Sequence, residues 1–319
     1  MAVYTQVHLD DLEEVLKRFS LGELRSFRGI AEGVENSNYL IETDQARYIL
    51  TLYEKRVARE DLPFFLGLME HLASAGVTCP LPMRDAEGVS LFELAGRPAA
   101  VISYLDGVSI DIPAAEHCAQ LGETLATLHA AQSGFDMKRP NALSVAGWRA
   151  LAEQCDAEAD SVSDGLSDLI AKELADLESA WDRVAALESG VIHADLFPDN
   201  VFFLHGQLSG IIDFYFACND ALAYDLAICI NAWCFSPTGT LLPAHAAALL
   251  AGYQAKRALS AAELDLLPVL CRGAALRFLL TRLYDWLNPA PGAMVKPKDP
   301  LDYLARLQHF QANGFDGHS

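Results

Sequence analysis

Val191-Ile-His-Ala-Asp-Leu-Phe-Pro-Asp-Asn200, followed after a further apolar run by Ile211-Ile-Asp213-Phe214, is the stretch on which the reading of this chain turns. An apolar run ends in His193. Asp195 comes two residues later and Asn200 five residues after that, and a second apolar strand ends in Asp213. Holding two carboxylates and an amide at the ends of short strands costs free energy unless a cation sits among them. A lone H-x-D means little, whereas H-x-D-x4-N with a second Asp downstream is a narrow pattern. Phosphoryl transfer uses such a set. One carboxylate accepts the proton of an attacking hydroxyl, and an Asn and a second carboxylate hold Mg²⁺ against the phosphates of ATP. The spacing from Asp195 to Asn200 matches the kinase catalytic loop, and Asp213-Phe214 stands where a metal-binding D-F dipeptide belongs. Asp195 is therefore the expected catalytic base, with His193 orienting the loop beside it. Asn200 and Asp213 are the expected Mg²⁺ ligands, and Asp199 reads as a surface acid.

The composition of the chain narrows the setting. Its 319 residues are 52% hydrophobic and 21% charged, which describes a globular protein with a real core. A net charge of −20 argues against a nucleic-acid partner and against an anionic membrane surface. It also means that the few cations must be concentrated locally if ATP is the ligand. The seven cysteines are odd in number, scattered and without a C-x-x-C pair, so they read as reduced core residues in a cytoplasmic protein. The N-terminal Met-Ala-Val-Tyr-Thr-Gln lacks the features of a signal peptide, and no apolar run reaches the length of a membrane span.

Period and punctuation divide the chain. Asp10–Phe19 reads as a short helix, with acids first and bases last. Leu24–Ile30, Ser37–Glu42 and Arg47–Tyr53 read as strands, with a tight hairpin at Thr43-Asp44-Gln45. Glu60–Ala75 reads as a helix stopped by Gly76, and Ser90–Leu94 and Pro98–Tyr104 complete a small antiparallel sheet. Beyond a linker near 103–107 the pattern becomes mainly helical: 114–131, 165–187, 223–234, 243–254, 261–286 and 300–311. Short strands at 190–193, 201–204 and 209–214 flank the opening stretch. This predicts an α+β chain in two parts, a nucleotide-binding β lobe over 1–104 and a helical catalytic and substrate lobe over 105–319.

Gly29-Ile-Ala-Glu-Gly33-Val-Glu-Asn36-Ser-Asn38 lies between the first two strands and is placed to cover phosphates with backbone N–H groups. The expected ATP contacts are Gly29, Gly33, Asn36, Ser37 and Asn38 in this segment, Lys55 just past the third strand, and Ser103 and Tyr104 at the linker. One part is missing. The third strand has Thr51 where kinases carry a phosphate-holding Lys, and the next helix offers no matching Glu. Lys55, Arg56 or Arg28 is left to supply that charge.

Taken together, these features resemble the aminoglycoside phosphotransferase/choline kinase family, small-molecule relatives of protein kinases. H-A-D and D-F-Y replace the H-R-D and D-F-G of protein kinases, and Asp220 to Asp225-Leu-Ala is similar to that family's acidic stretch after the metal Asp. Within the family, several segments look like the bacterial homoserine kinases: Gly33–Tyr39, Ile49–Glu54, Arg139–Ala142, Asp213–Asn219, Asn231–Cys234 and Leu276–Asp285. The resemblance implies a two-lobed protein-kinase-like fold, ATP and Mg²⁺, and L-homoserine as the acceptor. Homoserine carries a carboxylate and an ammonium besides its hydroxyl. Arg277, Arg282, Tyr284 and Asp285 on one helix and Asn231 and Trp233 on another are the candidate contacts, or else an internal network tying two helices. A kinase of choline, a sugar or an aminoglycoside, and a non-catalytic nucleotide-binding pseudokinase, are the competing readings.

Overall fold

The structure is a computed structural model that describes residues 5–30, 36–54, 57–289 and 297–315. Gly33, Lys55 and Arg56 lie outside the described residues, as does most of the Pro- and Gly-containing segment after Asn288. The chain divides into two compact units. The first comprises residues 1–107 with 135–137 and 209–215, and the second comprises 108–134, 138–208 and 216–319.

The first unit opens with helix α1 (Leu9–Arg18), whose Leu12, Val15 and Leu16 are buried on one face. Strands β1 (Leu24–Gly29), β2 (Ser37–Thr43) and β3 (Arg47–Leu52) follow, then α2 (Leu62–Ser74), β4 (Phe92–Leu94) and β5 (Arg97–Ser103). The strands form one sheet in the order β1-β2-β3-β5-β4, with every neighbouring pair antiparallel. The β2–β3 turn is tight because the Thr43 hydroxyl accepts the Gln45 and Ala46 N–H groups, both at 3.1 Å. Alternation puts Tyr39, Ile41, Leu50, Leu52, Ala99 and Val101 on the face that packs with α1, where Phe19 meets Phe92. Gly76 closes α2 at φ +89°, a conformation an L side chain resists.

The second unit carries α3 (Ala115–Ala131), α4 (Val145–Ala159), α5 (Leu166–Val184), β6 (Ser189–Ile192), β7 (Val201–Leu204), β8 (Gln207–Ile211), β9 (Cys218–Ala221), α6 (Leu222–Trp233), α7 (Pro243–Gln254), α8 (Ala261–Leu287) and α9 (Leu301–Asn313). The end of β8 belongs to the first unit. β6 pairs antiparallel with β9. β7 and β8 form a second two-stranded sheet. Helix α6 is buried over almost its whole length and is apolar on all sides but for Asp225 and Asn231, as suits an interior helix. Helices α3 and α7 touch backbone to backbone. A methyl group placed on Gly252 would lie 2.1 Å from the Ala119 carbonyl oxygen, and one on Gly122 would lie 2.2 Å from that of Leu249. The seven cysteines are all free and buried. Among the described residues no helix is long and apolar enough to cross a membrane.

Three elements differ from the sequence expectation. Helix α4 has no counterpart in the apolar pattern, because only Trp148, Cys155 and Ala159 are buried along its 15 residues. Strand β9 reads Cys-Asn-Asp-Ala, a composition that disfavours strands. It pairs with β6 nonetheless, while Asn219 and Asp220 bond the segment before α4. The strand expected to end in Asp213 ends at Ile211, and Asp213 follows it at φ +66°.

Candidate active site

The turn between β6 and β7 carries Asp195 and Asn200. Its backbone is held from several sides. Asp225 of α6, fully buried, accepts the His193 N–H at 2.7 Å and the Ala194 N–H at 2.9 Å. His129 of α3 bonds the same carboxylate at 3.2 Å and the Tyr253 hydroxyl of α7 at 2.8 Å. Burial alone would raise the Asp225 pKa, but the hydrogen bond and charge of His129, with His193, hold it below the usual carboxylate range. The Ala194 carbonyl accepts a hydrogen bond from the buried Arg277 guanidinium of α8, which lies 4.5 Å from the Phe278 ring centroid. The Trp233 indole N–H donates to the Leu196 carbonyl at 2.8 Å. Ala194 takes a left-handed φ of +64° at the corner, and these four side chains make that conformation tenable.

Asp195 then projects from a fixed peptide. The Asn200 amide N–H donates to the Asp195 carbonyl at 2.7 Å and to its carboxylate at 3.2 Å, while the Asp195 N–H reaches His193 Nδ1 at 3.3 Å. Burial raises the Asp195 pKa, Arg277 and Lys298 pull it down, Asp199 pushes it up, and it settles at about 6. A carboxylate poised there is ionised at neutral pH, yet basic enough to accept a hydroxyl proton. With its N–H committed to Asp195, Asn200 retains its carbonyl oxygen as a donor for a hard cation.

The other candidates fall into distinct places. Asp213 belongs to the first unit and is exposed. Two residues on, Tyr215 meets Tyr53 hydroxyl to hydroxyl at 3.2 Å and packs edge-on against Phe65. At the position where kinases carry Lys, Thr51 is buried and donates to the Asn38 side-chain oxygen at 2.8 Å. Asn36 accepts the Glu54 N–H at 3.3 Å, and the Ser37 hydroxyl donates to the Glu54 carboxylate at 2.8 Å. Arg97 pairs with that carboxylate at 3.0 Å. Gly29 pairs with Tyr39 at the end of β1, and Arg28 is exposed. The Ser103 hydroxyl accepts the Leu81 N–H at 2.8 Å, and Tyr104 lies under the Arg47 guanidinium.

The residues nominated for the acceptor are mostly engaged inside the second unit. Besides Arg277 and Trp233, Asn231 is fully buried and donates to the Ala227 and Cys271 carbonyls, both at 3.0 Å. Arg282 bonds the Asp299 carbonyl and the Asp302 carboxylate, both at 3.0 Å. Tyr284 and Asp285 are partly exposed near the end of α8. The segments Arg139–Ala142 and Asp213–Asn219 bond each other. The Arg139 N–H donates to Asn219 at 2.9 Å, and its guanidinium to the Ala217 carbonyl at 3.1 Å. Sequence reasoning passed over His129, whose one signal was a lone His on the apolar face of α3. It also passed over Lys298, which sits 3.3 Å from Asp199 and over the Phe197 ring.

A family model described as the phosphotransferase enzyme family matches residues 26–259. The homoserine kinase of Xanthobacter autotrophicus is 60% identical over 312 residues, covering 98% of this chain and 97% of that protein. That of Methylobacterium radiotolerans is 60% identical over 313 residues, with the same coverage. Among solved structures, an amicoumacin kinase in complex with AMP-PNP, Ca²⁺ and Ami aligns with a TM-score of 0.70 at 16% identity, over 96% of each chain. The fold is thus protein-kinase-like. With the model spanning most of the chain and whole-length relatives at 60% identity, the chain belongs to the phosphotransferase enzyme family.

Proposed function

We propose that the protein transfers the γ-phosphoryl group of ATP to the hydroxyl of L-homoserine, giving O-phospho-L-homoserine on the route to threonine in the cytoplasm. The observation that carries this reading is the 60% identity to homoserine kinases across 98% of this chain and 97% of each of those proteins. In the proposed mechanism the Asp195 carboxylate accepts the hydroxyl proton as the oxygen attacks in line. The peptide frame made by Asp225, Arg277 and Trp233 keeps that carboxylate from drifting, and orientation of this kind supplies much of the rate in phosphoryl transfer. His193 orients the loop through its ring nitrogen and backbone.

Asn200 and Asp213 are the residues the proposal gives to Mg²⁺, which when bound neutralises charge on the phosphates. The donor chemistry fits, being an amide oxygen left free by geometry and a carboxylate. Among the described residues no group of three or more His, Cys, Asp or Glu could hold a metal alone. Gly29, Gly33, Asn36, Ser37, Asn38, Lys55, Ser103 and Tyr104 remain the proposed ATP contacts.

The test is Asp195→Asn. We expect kcat for L-homoserine to fall by roughly 10³-fold or more, with ATP affinity within a few-fold of wild type. Near-normal turnover in that variant would remove Asp195 from the role of base.

A further inference from the structure

L-Homoserine is a zwitterion whose carboxylate lies only three carbons from the reacting hydroxyl. A selective site therefore needs a cation close to the base. Arg277 is buried and donates to the Ala194 carbonyl, its Nε having no partner among the described residues, so its charge is held inside the second unit; Arg282 is engaged by Asp299 and Asp302. Lys298 is different. Its ammonium stands in the solvent-facing part of the second unit, 3.3 Å from the Asp199 carboxylate on the loop that carries Asp195. It helps line a cavity of about 220 Å³ whose walls include Ser109, Asp111 and the Phe197–Asp199 segment of the Asp195 loop. The volume suits a ligand the size of a small amino acid.

We propose that this cavity is the amino-acid subsite and that Lys298 is the residue selecting an acceptor with a carboxylate. The assignment rests on the functional reading above. Three features support it. Among the described residues Lys298 makes a single 3.3 Å contact with Asp199, and both side chains are more than 60% exposed, so the pair yields readily to a ligand and the ammonium has further N–H donors to offer it. The Lys298 ammonium also lies 5.3 Å from the Phe197 ring centroid, an attraction that favours its place over the loop. The cavity also holds two acids, Asp111 and Asp199, against one cation. Once the substrate carboxylate occupies Lys298, an acid is left to accept the substrate ammonium. Cation and acid thus stand together beside the loop that carries Asp195, matching the carboxylate and ammonium of one short molecule.

The experiment compares L-homoserine with 3-amino-1-propanol, the same chain without the carboxylate, as substrate or as competitive inhibitor. It uses the wild-type protein, Lys298→Met and Lys298→Arg. Lys298 is exposed, so the variants keep the fold. For Lys298→Met the preference for L-homoserine over 3-amino-1-propanol should fall roughly 10- to 100-fold, the loss residing in KM for homoserine and not in KM for ATP. Lys298→Arg should restore most of that preference. An unchanged homoserine KM in an active Lys298→Met enzyme, or equal losses on both compounds, overturns the assignment alone. A wild-type protein with no activity on L-homoserine overturns the functional reading and the subsite with it.

Discussion

Ala194 stands in the left-handed region one residue before Asp195, the proposed base. A non-glycine residue there costs on the order of 1–3 kcal/mol and persists only where its surroundings over-determine it. Asp225 takes the two N–H groups at this corner and Arg277 takes the carbonyl. Arg277 therefore acts through the peptide that aims Asp195. We expect Arg277→Met to lower kcat by roughly 10²-fold, with KM for L-homoserine within a few-fold, since a small displacement of a catalytic group costs about that much. A fork on the substrate carboxylate would instead raise KM, so steady-state kinetics separate the two roles. The sequence disclosed Asp195 and Asn200 because their relation is local: five residues of spacing carry it. It disclosed Arg277 as a chemistry-bearing residue but not its partner. That partner lies 83 residues away, and only the packing of α8 against the loop decides which carbonyl the guanidinium meets.

At the scale of elements, the framework depends on close contacts that pattern alone does not display. Gly252 lets α7 lie against the backbone of α3, which carries His129 to Asp225. Gly252→Ala should destabilise the protein by about 1–3 kcal/mol or more, read from denaturant midpoints, because its methyl meets a carbonyl and not a yielding side chain. The Asp225–His129 contact joins α3 and α6 in full burial. The folded-state pKa of Asp225 is depressed. Its contribution is therefore present above the unfolded value near 4 and lost as pH falls below it. Asp225→Asn should be clearly less stable than wild type at pH 7, with the gap narrowing below about pH 4 in urea titrations. Elements with a broad apolar face, such as α1, α2 and α8, were legible in the chain. Helix α4 was not, since one Trp and two small residues carry its burial. Nor was β9, since its pairing with β6 outweighs the poor strand propensity of Cys-Asn-Asp-Ala.

For the whole molecule, a charge of −20 opposes the approach of a polyanion but not of a neutral zwitterion. Raising ionic strength from about 10 to 150 mM shortens the screening length several-fold. We expect kcat/KM for ATP to rise over that range while kcat/KM for L-homoserine changes little, and stopped-flow or steady-state rates would show it. The passage from strand-rich to helix-rich sequence near residue 105 was legible because the hydrophobic period changes there. That residues 135–137 and 209–215 group with the first unit was not, since it depends on contacts distant in sequence. The central claim concerns the acceptor. ADP release measured with L-homoserine, choline and an aminoglycoside at equal concentration tests it most directly. The account predicts turnover with L-homoserine at least about 100-fold above the other two and formation of one phosphate monoester. No activity with L-homoserine, alongside turnover of either of the others, would contradict it.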